Sequence, residues 1–179
     1  LAAGKNVFVE KPLAITKEQL DMVRDAWGNV QTTRLMVGFN RRFAPHSIKF
    51  KALLDTVKEP KSFIMTVNAG AIPADHWTQD KNVGGGRIIG EACHFIDLMR
   101  FFFGTKITSV KAVRMGDVSG LAEAEDKAAI TLTFADGSFG TIHYLANGAQ
   151  DFPKERIEAF VAGRVLQIDN FRTLRAWGW

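Results

Sequence analysis

Two short stretches of this chain carry side chains suited to acid–base chemistry. Glu10-Lys11-Pro12 closes a short apolar run, Asn6 to Glu10, and so stands at the carboxyl end of an expected strand. Open α/β sheets bind ligands at that end. A lysine there, partly desolvated and close to other cations, can have its pKa lowered enough to act as an acid or base; a solvated strand end stopped by proline is the plainer reading. Glu91, His94 and Asp97 recur every third residue in a segment of helical periodicity, which predicts one polar line along a largely apolar helix. That line faces either a polar cavity or groups that merely satisfy it.

Other residues join these by position. Asn40-Arg41-Arg42-Phe43 ends a second apolar run and puts paired cations near the same edge, or forms a solvated turn. Asp75, His76 and Trp77 lie in a long loop, either as substrate contacts or as loop residues with an apolar anchor. Metal chemistry has less support, because no second histidine stands at helical spacing from His94. The single cysteine, Cys93, excludes an internal disulfide and a cysteine-rich zinc site. Adjacent helical residues point about 100° apart, so Cys93 does not face His94 and reads as core. Gly84-Gly85-Gly86 fits neither a Walker loop nor a dinucleotide fingerprint. These glycines are expected to let backbone pass close to a ligand.

The elements that must position these groups follow from periodicity. Asn6 to Glu10 and Arg34 to Phe39 read as strands flanking a helix opened by a capping box, Thr16 with Gln19, and striped by Leu20, Val23 and Trp27. That is a βαβ unit with a parallel strand pair. A helix from Pro45 to about Val57 and a strand from Ser62 to Ala69 precede the loop from Gly70 to Gly86, whose length suggests function. The helix from Arg87 to Phe103, ended by Gly104, is expected to bury Ile89, Ala92, Cys93, Ile96, Met99 and Phe103 along one side, with Phe95, Leu98 and Phe102 on another. A succession of strands completes the chain: Ile107 to Arg114, then a hairpin from Ala128 to Leu145 turning at Asp136-Gly137. Glu155 to Asn170 gives a second hairpin, turning at Gly163-Arg164. Together these predict an α+β class: an open, mostly antiparallel sheet with helices on one face, preceded by the βαβ unit.

Composition removes several alternatives. Of 179 residues 46% are hydrophobic and 23% charged, which suits a folded core rather than disorder. The net charge of +4 is spread thinly, without the clustered footprint that nucleic acid requires. No apolar run approaches the roughly 20 residues of a membrane span, and the cysteine usage fits a cytoplasmic protein. Leu1 in place of methionine and an aromatic, strand-like end at Trp179 point to a piece of a longer chain.

Val7 to Ala14, Val37 to Phe43, and Gly84-Gly85-Gly86 with His94 and Asp97 resemble, in order and spacing, the glucose-fructose oxidoreductase, inositol dehydrogenase and MocA family. Pro153-Lys154-Glu155-Arg156 and Asp169-Asn170-Phe171 extend the resemblance over essentially the whole chain. It implies that residues 1–40 end a Rossmann domain binding NAD or NADP, and that residues 41–179 form an α+β domain for substrate binding and oligomerisation, incomplete at its C-terminus. It implies Lys11 as the catalytic lysine, framed beside the nicotinamide by Glu10 and Pro12 across a candidate cis bond, with Asn40 and Arg41 near the cofactor. His94 matches the histidine that works beside that lysine. Arg42, His76, Trp77 and Asp97 are then candidates to meet a sugar or cyclitol substrate. Family members usually carry an aspartate where this chain has Gly90, so Glu91 becomes the candidate acidic partner. Hydride transfer between a nicotinamide and a sugar or cyclitol hydroxyl is the implied reaction, without metal, in a homo-oligomer joined through the open sheet face. The other reading is a non-catalytic module that holds substrate and oligomerises.

Overall fold

The computed structural model describes residues 1–30, 32–116 and 126–179. β1 (Val7–Val9) and β2 (Leu35–Val37) pair in parallel, joined by α1 (Lys17–Gly28). The capping box forms as the sequence predicts: Thr16 Oγ1 accepts from the Gln19 amide, and the Gln19 side chain accepts from the Ile15 amide. A 3₁₀ turn, Asn40–Phe43, leads into α2 (Pro45–Leu54), which stops about a turn earlier than its pattern suggests and leaves Ile48 exposed.

The second sheet has seven strands: β3 (Ser62–Asn68), β4 (Ile107–Arg114), β5 (Ala128–Phe134), β6 (Phe139–Leu145), β7 (Glu155–Val161), β8 (Arg164–Asp169) and β9 (Thr173–Trp177). Their spatial order is β4-β5-β6-β3-β7-β8-β9. Instead of following one another as a simple meander, β6 and β7 are separated by β3, which runs parallel to β6 and antiparallel to β7. The second hairpin turns at Ala162-Gly163, one residue earlier than expected. Both residues have positive φ, 47° and 71°, as a two-residue turn matching the strand twist requires.

One face of this sheet is covered. Phe63, Met65 and Val67 of β3, with Leu132, Ile142 and Ile157 from neighbouring strands, meet Phe50 and Leu54 of α2 and one side of α3 (Cys93–Phe103). Phenylalanines dominate the contact, with ring centroids 4.6 Å apart for Phe50 and Phe102 and 4.1 Å for Phe103 and Phe134. Gly140 allows this approach, since a Cβ there would lie 2.7 Å from Met99 Sδ. The α3 face differs from the expected stripe. Phe95, Leu98, Met99, Phe102 and Phe103 are buried, whereas Ile89 is exposed and Cys93 and Ile96 are only half-buried. For Ile89 the cause is local: Ile88–Ala92, just before α3, is a π turn rather than α-helix. Its wider winding rotates the residues before it relative to those after it.

Candidate active site

The polar line divides. His94 and Asp97, three apart in α3, share a side and meet Phe39 and Arg42 after β2, whereas Glu91, inside the π turn, meets other elements. Glu91 accepts three side-chain hydrogen bonds: from Tyr144 Oη on β6 at 2.5 Å, from Lys154 Nζ at 2.7 Å and from Arg87 at 3.2 Å. Arg87 is itself buried, and donates to the carbonyls of Gly70 at 2.6 Å and Ala69 at 3.0 Å, just past β3. Burial by itself would raise the Glu91 pKa. The bonds from Lys154, Tyr144 and Arg87 outweigh it and hold the carboxyl down to about 2. Tyr144, buried against that carboxylate, has its hydroxyl pushed far above the usual phenol range by burial first and Glu91 second.

His94 is 5% exposed, and its Nδ1 is buried with no hydrogen-bond partner among the described residues. Phe39, at the end of the parallel pair, meets its ring edge-on at 6.0 Å between centroids. Burial, followed by the charges of Arg41 and Lys11, lowers the His94 pKa to about 4, against a smaller opposing pull from Glu91. The imidazole is therefore neutral at pH 7.

Lys11 reaches this region from the other sheet. Its ammonium donates to the carbonyl of Gly90, inside the π turn, at 2.8 Å. The strand-end lysine is thus bonded to the turn that leads into α3, the helix bearing His94. The Lys11–Pro12 peptide is cis. Glu10 is exposed, with its carboxylate over Gly38, where a Cβ would come within 3.1 Å of an oxygen; Asn40 is exposed as well.

The two arginines have carboxylate partners. Arg41 forms a two-point pair with Glu155 at the start of β7, at 2.6 and 3.2 Å, and its guanidinium lies 4.7 Å from the Phe95 ring centroid. Arg42 is likewise doubly bonded to Asp97 on α3. Both clasp the turn after β2 onto the seven-stranded sheet and its helix. His76 uses Nδ1 at the N-terminus of the 3₁₀ turn Trp77–Gln79, 2.8 Å from Thr78 Oγ1, and Trp77 is 61% exposed. Neither is drawn to Lys11 by any bond. Gly84 and Gly85 let the loop pack closely. A Cβ at Gly84 would lie 2.4 Å from Thr78 Cα, and one at Gly85 would lie 2.9 Å from the Ile15 side chain.

Sequence reasoning missed Arg87, Tyr144 and Lys154. Arg87 stands four residues before Glu91, a spacing that favours ion pairing on a helix and was a usable signal. Tyr144 on β6 and Lys154 just before β7 are brought beside the helix only by the β6-β3-β7 order.

The chain thus joins two parts, a parallel strand pair that ends in Lys11 and an open sheet covered by the helix that bears His94. The family model for the GFO/IDH/MocA C-terminal domain matches residues 57–164, and the chain belongs to that family. An inositol 2-dehydrogenase of Rhizobium meliloti is 31% identical, over 95% of this chain and 52% of its own length. An uncharacterized oxidoreductase of Bacillus subtilis, YrbE, is 28% identical, over 95% of this chain and 50% of its own. Among solved structures, an NAD binding oxidoreductase from Klebsiella pneumoniae superposes with a TM-score of 0.82 at 25% identity, covering 98% of this chain and 51% of that one. The chain spans about half the length of the curated relatives it matches.

Proposed function

We propose that the full-length protein is an NAD(P)-dependent oxidoreductase acting on a hydroxyl of a sugar or cyclitol, with Lys11 and His94 as its acid–base pair. The observation that carries this reading is the Lys11 bond to the Gly90 carbonyl, which fixes the ammonium beside the helix that bears His94. In this reading residues 1–40 end the nucleotide-binding domain and residues 41–179 form the substrate and oligomerisation domain.

The parallel pair ends in exposed Glu10 and Asn40 flanking Lys11, so this edge has room and polar groups for the nicotinamide end of a dinucleotide. Glycines that would cradle its pyrophosphate do not occur here in the fingerprint pattern. When bound, the nicotinamide accepts or returns hydride. The chain's own residues handle the proton. Neutral His94 has an acceptor nitrogen ready for the proton of the substrate hydroxyl, and the Lys11 ammonium stabilises the negative charge that develops on that oxygen. Arg41 and Arg42, tied to Glu155 and Asp97, hold the two parts together around this point. Incubating the full-length protein with NAD or NADP and a panel of sugars and cyclitols tests the proposal: nicotinamide reduction is expected with at least one, and none with any would contradict it.

The uncovered sheet face supports a homo-oligomer. Phe139, Ser62, Phe160, Val165 and Trp177 lie in register across five strands there, and Phe139, Phe160 and Trp177 are exposed. A row of this kind suits a second copy of the same face, burying more than about 1,000 Å². Sedimentation at tens of micromolar should give a dimer or larger species, against which a strict monomer would count. One cysteine and a globular composition suit the cytoplasm as its place of action.

A further inference from the structure

The acidic residue beside Gly90 has a role that neither its position before the histidine nor its charge suggests. Glu91 has three side-chain donors, so it is poorly placed to take a proton from substrate. The donors come from three places: Arg87 one helical turn earlier, Tyr144 on β6, and Lys154 immediately before β7. Arg87 is anchored in turn to the carbonyls after β3. Glu91 therefore ties the π turn to three neighbouring strands of the sheet. The turn's product is the carbonyl of Gly90, and Lys11 is bonded to that carbonyl.

Gly90 itself is not demanded by the backbone. Its φ is not in the left-handed region, and an added Cβ would meet only the Gly84 carbonyl oxygen, at 3.4 Å. What matters at position 90 is the direction of the carbonyl, which the adjacent Glu91 anchor controls.

We propose that Glu91 is a positioning residue: held by Arg87, Tyr144 and Lys154, it fixes the π turn so that the Gly90 carbonyl aims the Lys11 ammonium at the space beside His94. The mechanism is geometric. Relaxing the turn toward regular α-helix would rewind the backbone at Gly90, shift its carbonyl relative to Lys11 and release the ammonium. This inference rests on the acid–base role given to Lys11 above, but its first test does not depend on activity.

In the full-length protein, competitive reductive methylation followed by mass spectrometry reads the state of Lys11 against exposed Lys58. One net hydrogen bond, worth about 1 kcal/mol, should make Lys11 about fivefold slower than Lys58. Glu91→Gln and Lys154→Met should each close most of that gap, whereas Gly90→Ala, which keeps the carbonyl, should leave it open. Lys154→Arg should restore protection. Unchanged Lys11 protection in folded Glu91→Gln and Lys154→Met proteins would overturn the proposal. Should Glu91→Gln fail to fold, Lys154→Met decides, since its side chain is half-exposed. If the wild type turns over a substrate, both variants should lower kcat by about 10- to 100-fold, as misplacement of a reacting group does, with KM for the nucleotide unchanged. An inactive wild type would fail the proposed function while the methylation result still judged Glu91.

Discussion

Helices α1 and α3 have the same kind of apolar periodicity, yet α3 buries six of its eleven residues and α1 buries none of its twelve. Leu20 and Trp27 of α1 remain 48% and 49% exposed, and Phe8 and Met36 on the parallel pair are exposed too. The difference lies in what each helix has to pack on. Beneath α3 are the central strands of a seven-stranded sheet and the rings of Phe50 and Phe63. Two three-residue strands supply no comparable surface to α1, and parallel strands are stable where both faces are covered. An apolar stripe thus announces that a helix needs a cover, without saying which part of a protein supplies it. The exposed residues of β1, α1 and β2 are the surface that the proposed nucleotide-binding domain would complete.

Substitutions should sharpen this contrast, beginning in the sheet. Phe63→Ala should cost about 3–5 kcal/mol in urea denaturation, whereas Leu20→Ala should cost under about 1 kcal/mol in this 179-residue chain. Equal losses would break the comparison. The clasp between the two parts comes next. Arg41→Met leaves Glu155 buried without its partner and should cost about 3 kcal/mol, with most of the loss recovered when Glu155→Leu is added. Amide exchange at Val7–Val9 should quicken in the single variant, because the tether to the sheet is lost.

Acid should act on the site-bearing part. The folded His94 pKa, about 4, lies below its usual 6.5, so the unfolded chain takes up a proton first as pH falls. The stability present above pH 6.5 should therefore decline by about 3 kcal/mol on the way to pH 4. Glu91, held at about 2 against its usual 4.5, should add a further loss as pH falls from 4.5 toward 2. A pH series of melting curves checks both, and His94→Phe should remove the first decline while keeping the second. A small and strictly local effect is expected at the start of α1: Thr16→Ala removes a cap worth about 1 kcal/mol, read as faster exchange in the first turn of that helix alone.

Most strands and all three α-helices were legible because each carries its own period and its own stop: the Thr16 cap, Asp136-Gly137, and Gly104 in the left-handed conformation. Strand order was not, since nothing local in Ser62–Asn68 says that it will lie between β6 and β7. The site divided in the same way. Lys11 stood out by its place at a strand end and His94 by the polar residues around it. Two partners of Glu91, Tyr144 and Lys154, stayed hidden because they lie 53 and 63 residues away. The π turn that holds Glu91 is invisible to a 3.6-residue period.

The central claim is that Lys11 and His94 work on one substrate oxygen, and a double-mutant cycle on turnover by the full-length protein tests it most directly. Lys11→Ala and His94→Ala should each lower kcat/KM by about 10²–10⁴-fold, with the double variant little worse than the poorer single one, as for groups that act as a unit. Wild-type turnover by Lys11→Ala, or losses that simply multiply, would contradict it.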